Sequence, residues 1–407
     1  MKIGLLKETK TPIDNRVALS PEQVALLNQK YSDSEIVVQS SDIRAFTDDE
    51  YRQAGVRVVH DISDCDILFG IKEAKIDTLL PGKHYVFFGH IAKMQEYNRP
   101  LLQSFIAKGI TFTDYEYLVD DKNIRVCAFG WWAGVVGVYY TLRGYGLKTG
   151  AYSLPKPDIT FTLDQLIGNL RNIQLPKVKL LVTGAGRVSK GAQHVLEKIG
   201  AKCVDKEAYL REDDLQALTY CVADADLLVT RADGGSFSWK NFTEHPDAYV
   251  SDFMRWARHT DILLCGHFWA SNAPVYLTGK DLRSPSNRIC FIGDVTCDIM
   301  GSIKSTVRSS THAEPYYDYN PITEKEEPPF SGNGNITVEA VDTCPNALPR
   351  DASQYFGETL MSHVFEPILN GQGNQSRVIA DATIVKKGRL TSKFSYLSDF
   401  ANGDSTI

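Results

Sequence analysis

The segment KLLVTGAGRVSKGAQHVLEKIGAKCVD, from Lys179 to Asp205, constrains this chain more than any other. An apolar run ends at Gly184, a short turn holds Gly186, a helix-like stretch follows, and a second strand-like run closes on Asp205. That order lets a backbone approach a pyrophosphate at a helix N-terminus, with the acid after the next strand accepting from the adenosine ribose. The usual spacing would put a third glycine at Ser189, and this sequence offers Gly191 instead. Gly184, Gly186, Gly191 and Asp205 are therefore expected at a dinucleotide cofactor, against the plainer reading of a tight turn. Asp205 favours NAD because a carboxylate repels a ribose phosphate, and NADP stays the alternative because Lys206 is adjacent.

Around this motif, short runs rich in Val, Ile, Leu and Phe alternate with helix-like segments, the pattern of parallel sheets crossed by helices, and the pattern occurs twice. The first set reads as strands over Lys2 to Leu6, Glu35 to Gln39, Cys65 to Ile71, His84 to Gly89 and Ile110 to Glu116. Ser20 with Gln23 and Thr47 with Glu50 form capping boxes that start two helices. The second set covers Lys179 to Gly186, Ala201 to Asp205, Ala225 to Thr230, Asp261 to Gly266 and Arg288 to Thr296. The apolar stretch from Phe129 to Leu142 reads as a helix between the sets. EPYYDYNPITEKEEPPF reads as an irregular crossing, followed by a helix over Ser353 to Leu369.

A chain of 407 residues exceeds what one core usually supports. The expected fold class is α/β: two doubly wound Rossmann-like parallel-sheet domains, with the active site in the cleft between them. Residues 1–133 with 320–407 form a discontinuous substrate domain, and 134–319 the dinucleotide domain. A net charge of -6 argues against nucleic acid as a partner. No apolar stretch is long enough for a bilayer and the start is too short for a signal peptide, so no membrane partner and a cytoplasmic location are expected. Eight cysteines lack metal-type spacing, so no metal site is expected.

Ligands of open parallel sheets bind outside the carboxyl ends of the strands. Lys72, Glu73, His90 and Glu116 fall there in the first set, and Arg231, Cys265 and Asp294 in the second. Singly, each is more often a solvated loop residue or a structural histidine. Together they suit proton transfer coupled to hydride transfer.

The opening KETKTPIDNRVALSPEQV, with GIKEAK and FFGHIAKMQ, resembles the superfamily of alanine dehydrogenase, proton-translocating transhydrogenase and lysine-forming saccharopine dehydrogenase. TGAGRVSKGAQ, DILLCGHFWASNAPVYLT, GDVTCDIMGSIKST and VDTCPNALPRDASQYFGETL resemble the lysine-ketoglutarate reductase half of bifunctional lysine-degrading enzymes. The resemblance implies an oxidoreductase interconverting saccharopine with lysine and 2-oxoglutarate. Lys72 and His90 match the family's proton-transfer pair; Arg16 and Arg125 match arginines on substrate carboxylates. Lys93, Gln95 and Phe129 match further substrate contacts, while Glu73 and Glu116 match carboxylates that tune the base. Arg187 and Val188 lie in the matching cofactor loop, and Cys203 and Cys265 match a cysteine pair near the cofactor, expected here as reduced thiols. Alanine dehydrogenase or another opine-type amino-acid dehydrogenase, and a non-catalytic NAD(H)-binding sensor, stay open as alternatives, as does a monomer or homodimer.

Overall fold

In the computed structural model, which describes residues 1–211, 215–373 and 375–403, the apolar runs pair into two eight-stranded sheets. Strands β1 (Lys2–Leu5), β2 (Glu35–Gln39), β3 (Val58–Val59), β4 (Ile67–Lys72), β5 (His84–Phe88) and β6 (Thr111–Asp114) open the chain. The order β6, β5, β4, β1, β2, β3 is parallel throughout. Helices α1 (Pro21–Lys30) and α2 (Asp48–Gln53) start at the expected capping boxes, with Ser20 Oγ accepting from the Gln23 amide and Thr47 Oγ1 from the Glu50 amide. Each box satisfies amide groups that the first helical turn leaves without a partner.

The second sheet contains β7 (Lys179–Thr183), β8 (Lys202–Cys203), β9 (Thr219–Ala223), β12 (Ile262–Cys265) and β13 (Phe291–Asp294), in the order β13, β12, β7, β9, β8. Between them β10 (Val229–Arg231) and β11 (Tyr249–Ser251) form a separate antiparallel ribbon. The run Ala225 to Thr230 is therefore not a sheet strand. Asp224 caps a short helix over Ala225–Leu228, and the sheet strand is the preceding Thr219–Ala223. The stretch expected to be irregular also folds: β14 (Tyr316–Asn320), β15 (Lys325–Glu327) and β16 (Ile336–Glu339) extend the same sheet. Its prolines do not interrupt pairing, because Pro315 precedes β14 and Pro321 sits in the connection to β15.

The chain divides into two compact units, Met1–Phe129 with Pro349–Ile407, and Gly130–Leu348. The return to the first unit thus comes at Pro349, later than residue 320, because β14 to β16 stay with the second sheet. Of the expected return segment, residues 404–407 and Asn374 lie outside the described residues. The tail adds β17 (Thr383–Lys386), antiparallel to β6, and β18 (Arg389–Leu390), antiparallel to β17 at the edge of the sheet. The expected helix over Ser353 to Leu369 runs as Pro349–Leu360, a π turn over Met361–Phe365 and a last turn to Leu369.

In the second unit, the helix predicted after Phe129 is α3 (Gly130–Thr149), packed on α4 (Arg187–Lys198). A Cβ at Gly134 would stand 1.8 Å from the Val188 carbonyl oxygen, and one at Gly191 would stand 1.9 Å from that of Trp131. Gly191 therefore serves backbone-to-backbone contact between two helices, and the expectation that it meets a cofactor is corrected.

Candidate functional site

In the first unit, chemistry gathers at the carboxyl ends of four neighbouring strands. Beyond β1, Glu8 reaches the end of β4, where its carboxylate accepts from the amides of Ile71 (2.7 Å) and Lys72 (2.9 Å). Asp14 accepts from Arg16 Nε (2.9 Å) and Nη2 (2.5 Å), a bidentate pair in which both side chains are buried. The guanidinium also lies 4.2 Å from the centre of the Phe129 ring, which stacks on Phe356. Burial opposes the charge on Asp14, yet Arg16 and the nearby Lys72 hold its carboxyl below the usual range. Burial, then the charge of Asp14, push Glu8 the other way, well above it. Two buried carboxyl groups with opposite shifts thus face the end of β4 at Lys72.

His90 follows β5 with a left-handed backbone (φ 53°), a conformation that costs energy unless its surroundings fix it. Asp114, at the end of β6, accepts from the Gly89 and His90 amides, and Asn98 donates to the His90 carbonyl. Glu116 lies 3.3 Å from His90 Nδ1, 3.0 Å from Lys93 Nζ and 3.2 Å from Arg125 Nη2. Burial would raise its carboxyl, but the His90 hydrogen bond and the Lys93 charge outweigh it and hold the group at about 2. An ionised carboxylate only accepts, so Nδ1 carries a proton, and in the neutral ring Nε2 has the lone pair. Glu73 pairs with Lys10, while its second oxygen is buried with no hydrogen-bond partner among the described residues. Gln95 lies on an exposed loop and accepts from Tyr97 (2.6 Å).

In the second unit, Gly184 follows β7 with φ 83°, and a Cβ there would stand 2.7 Å from His267 Cα. Gly186 caps α4 without a side-chain hydrogen bond, and the space where its Cβ would stand is open. Gly186 and Arg187 are exposed, while Val188 packs against Gly266. A helix start capped by glycine under open space suits a phosphate, so this turn fits a dinucleotide.

Other expected cofactor residues fall elsewhere. β9 separates β8 from β7, so Asp205 stands beyond the strand adjoining the turn, and its carboxylate caps the helix over Lys206–Arg211 through the Ala208 amide (2.8 Å). The acid at the end of the adjoining strand is Asp224, which accepts from the amides of Ala225 and Ala185. Sequence order suggested Asp205 because spatial order was hidden; an acid directly after TYCVA was the missed signal. Arg231 lies on the ribbon, not the sheet, and pairs with Asp233. Cys265 is fully buried in the unit's apolar core, and Asp294 is spent inward on Thr296 and Thr306. Cys203 and Cys265 stand three strand positions apart, about 14 Å at the usual spacing, too far for a disulfide. Among the described residues no group of three or more His, Cys, Asp or Glu could hold a metal ion, and no helix is long and apolar enough to cross a membrane.

Fold and site together define an α/β protein of two Rossmann-like units, one with a cluster of ionised groups and one with a dinucleotide-type turn. Residues 4–136 match the family described as alanine dehydrogenase/PNT, N-terminal domain. The chain is 29% identical over 444 residues to the mitochondrial alpha-aminoadipic semialdehyde synthase of Bos taurus, covering 97% of this chain and 47% of that protein. It is 27% identical over 396 residues to the saccharopine dehydrogenase [NAD(+), L-lysine-forming] of Emericella nidulans, covering 90% and 92%. A solved L-alanine dehydrogenase shares the fold, with a TM-score of 0.67 at 18% identity over the full length of both chains. The likeness to the alanine dehydrogenase/PNT family is confined to residues 4–136, while the likeness to these semialdehyde synthases and saccharopine dehydrogenases runs along nearly the whole chain. It spans about half the length of the semialdehyde synthases it matches.

Proposed function

We propose that this chain is a nicotinamide-dependent amino-acid dehydrogenase that interconverts saccharopine with lysine and 2-oxoglutarate. The observation that carries the reading is the placement of Lys72 and His90 at the ends of adjacent strands, with the Lys72 amide held by Glu8 and the His90 ring by Glu116. The chain's likeness to proteins named saccharopine dehydrogenase supports the substrate class.

The nicotinamide would accept a hydride from the carbon beside the secondary amine. Residues of the turn, Gly184, Gly186 and Arg187, would hold its pyrophosphate, with Asp224 beside them disfavouring a ribose phosphate and so favouring NAD over NADP. Water then adds to the substrate imine while His90 Nε2 or Lys72 takes a proton. The carbinolamine collapses as the other group protonates the departing lysine nitrogen and then takes the hydroxyl proton as the C=O bond of 2-oxoglutarate forms. Half-exposed Arg125 and Lys93 are suited to substrate carboxylates. Arg16 has Nη1 alone outside its pair with Asp14, so it would contribute through that nitrogen and through the fixed face of Phe129.

Purified protein mixed with lysine, 2-oxoglutarate and NADH or NADPH should oxidise the reduced cofactor only when both carbon substrates are present, faster with NADH. Oxidation with pyruvate and ammonium alone would move the chain to the alanine dehydrogenase reading, and cofactor binding with no turnover in any mixture would make it a sensor.

A further inference from the structure

The tail that completes the first unit also encloses a cavity of about 690 Å³ at the amino ends of β4, β5 and β6, the edge opposite Lys72 and His90. His84 and His90 are six residues apart along and just beyond β5, roughly 20 Å at about 3.3 Å per residue. The volume falls in the range of small-molecule sites, and the lining joins an apolar wall with a few polar groups.

Proton bookkeeping fixes one of those groups. The Thr383 hydroxyl donates to the Ile379 carbonyl (2.8 Å), so its oxygen accepts from Thr113 at 2.9 Å. The single Thr113 proton is then spent, and its oxygen at 2.9 Å from His84 Nε2 accepts from an Nε2–H. His84 is therefore the Nε2–H tautomer, and Nδ1 keeps an acceptor lone pair. Burial, with the Lys386 charge adding to it, pushes its pKa down to about 4, which keeps the ring neutral. At the rim, Lys386 and Lys387 stand at the tip of the β17–β18 hairpin, where positive φ at Lys387 (48°) and Gly388 (76°) forms a two-residue turn. The Lys387 amide is anchored on Thr111 Oγ1 (3.1 Å), and among the described residues neither lysine makes an ion pair. Ile67, Ile368, Leu369 and Ile379 supply the apolar wall.

We propose that this cavity binds a small aliphatic carboxylate bearing a hydrogen-bond donor, the chemistry of an aliphatic amino acid. Its carboxylate meets Lys386 and Lys387, its donor meets His84 Nδ1, and its hydrocarbon covers the isoleucines and Leu369. The site does not depend on the reaction assigned to the opposite edge.

Calorimetric titration of the full chain with leucine, hexanoate and hexanamide tests it. Leucine and hexanoate should bind saturably and hexanamide at least about tenfold more weakly, because a lost charge-assisted contact is worth that much. The double variant Lys386→Gln/Lys387→Asn, which changes two exposed hairpin residues, should weaken leucine by a similar factor with an unchanged melting midpoint. His84→Phe should lower leucine affinity more than hexanoate affinity. No saturable binding of leucine, binding unchanged in the lysine variant, or hexanamide binding as tightly as leucine would each overturn the proposal.

Discussion

The carboxyl edges of the two sheets solve different problems with different parts of the chain. The first unit's edge is built from side chains: Asp14 pairs with Arg16, Glu116 with Lys93, Arg125 and the His90 ring, and Glu8 holds the Lys72 amide. The second unit's edge is built from backbone: a glycine turn, a helix start capped by glycine and two helices whose main chains touch. Charge placed by charge responds to pH and to removal of one partner. Shape placed by glycine responds to volume alone.

The largest effect expected from that contrast is in Arg16→Met, which leaves Asp14 buried without its partner and should cost roughly 3–5 kcal/mol of stability at neutral pH. The loss should shrink as pH falls and Asp14 takes a proton, and the double variant Asp14→Asn/Arg16→Met should recover much of it in denaturant titrations. In the second unit, Gly191→Ala forces a methyl into the Trp131 carbonyl and should cost about 3 kcal/mol, with no dependence on pH. A pH-dependent loss there, or a pH-independent one at Arg16, would break the comparison.

A smaller effect sharpens it. Because Glu116 titrates at about 2 in the folded chain and near 4.5 when free, its contribution is present above 4.5 and is lost as pH falls towards 2. Glu116→Gln should flatten that part of the stability profile, read by melting midpoint against pH. It should also lower turnover by loosening the His90 ring.

The same contrast explains what the sequence made legible. Strand runs such as EIVVQ and KLLVT announced themselves because buried parallel strands are continuously apolar, and both capping boxes were readable because each is a local contact. Lys72, His90 and Glu116 could be placed at strand ends because each stands at or just beyond the close of such a run. ADLLVT misled because a short apolar run fits a buried helix as well as a strand, and Asp224 decided it as a cap. Asp205 misled because the order of strands in space is not their order in the chain, and β9 intervenes. Glu8, Asp14 and Asp114 went unnoticed for another reason. Their importance lies in burial and in backbone amides they accept from, and neither is visible until the loops close.

The central claim is that proton transfer belongs to the first unit and cofactor binding to the second. The direct measurement is NADH affinity and turnover with lysine and 2-oxoglutarate, made on the same preparations of wild type, Lys72→Met and His90→Gln. The account predicts turnover lower by about a hundred to ten thousand-fold in each variant, with NADH affinity within about twofold of wild type. Unchanged turnover in both variants, or a parallel loss of NADH binding, would contradict it.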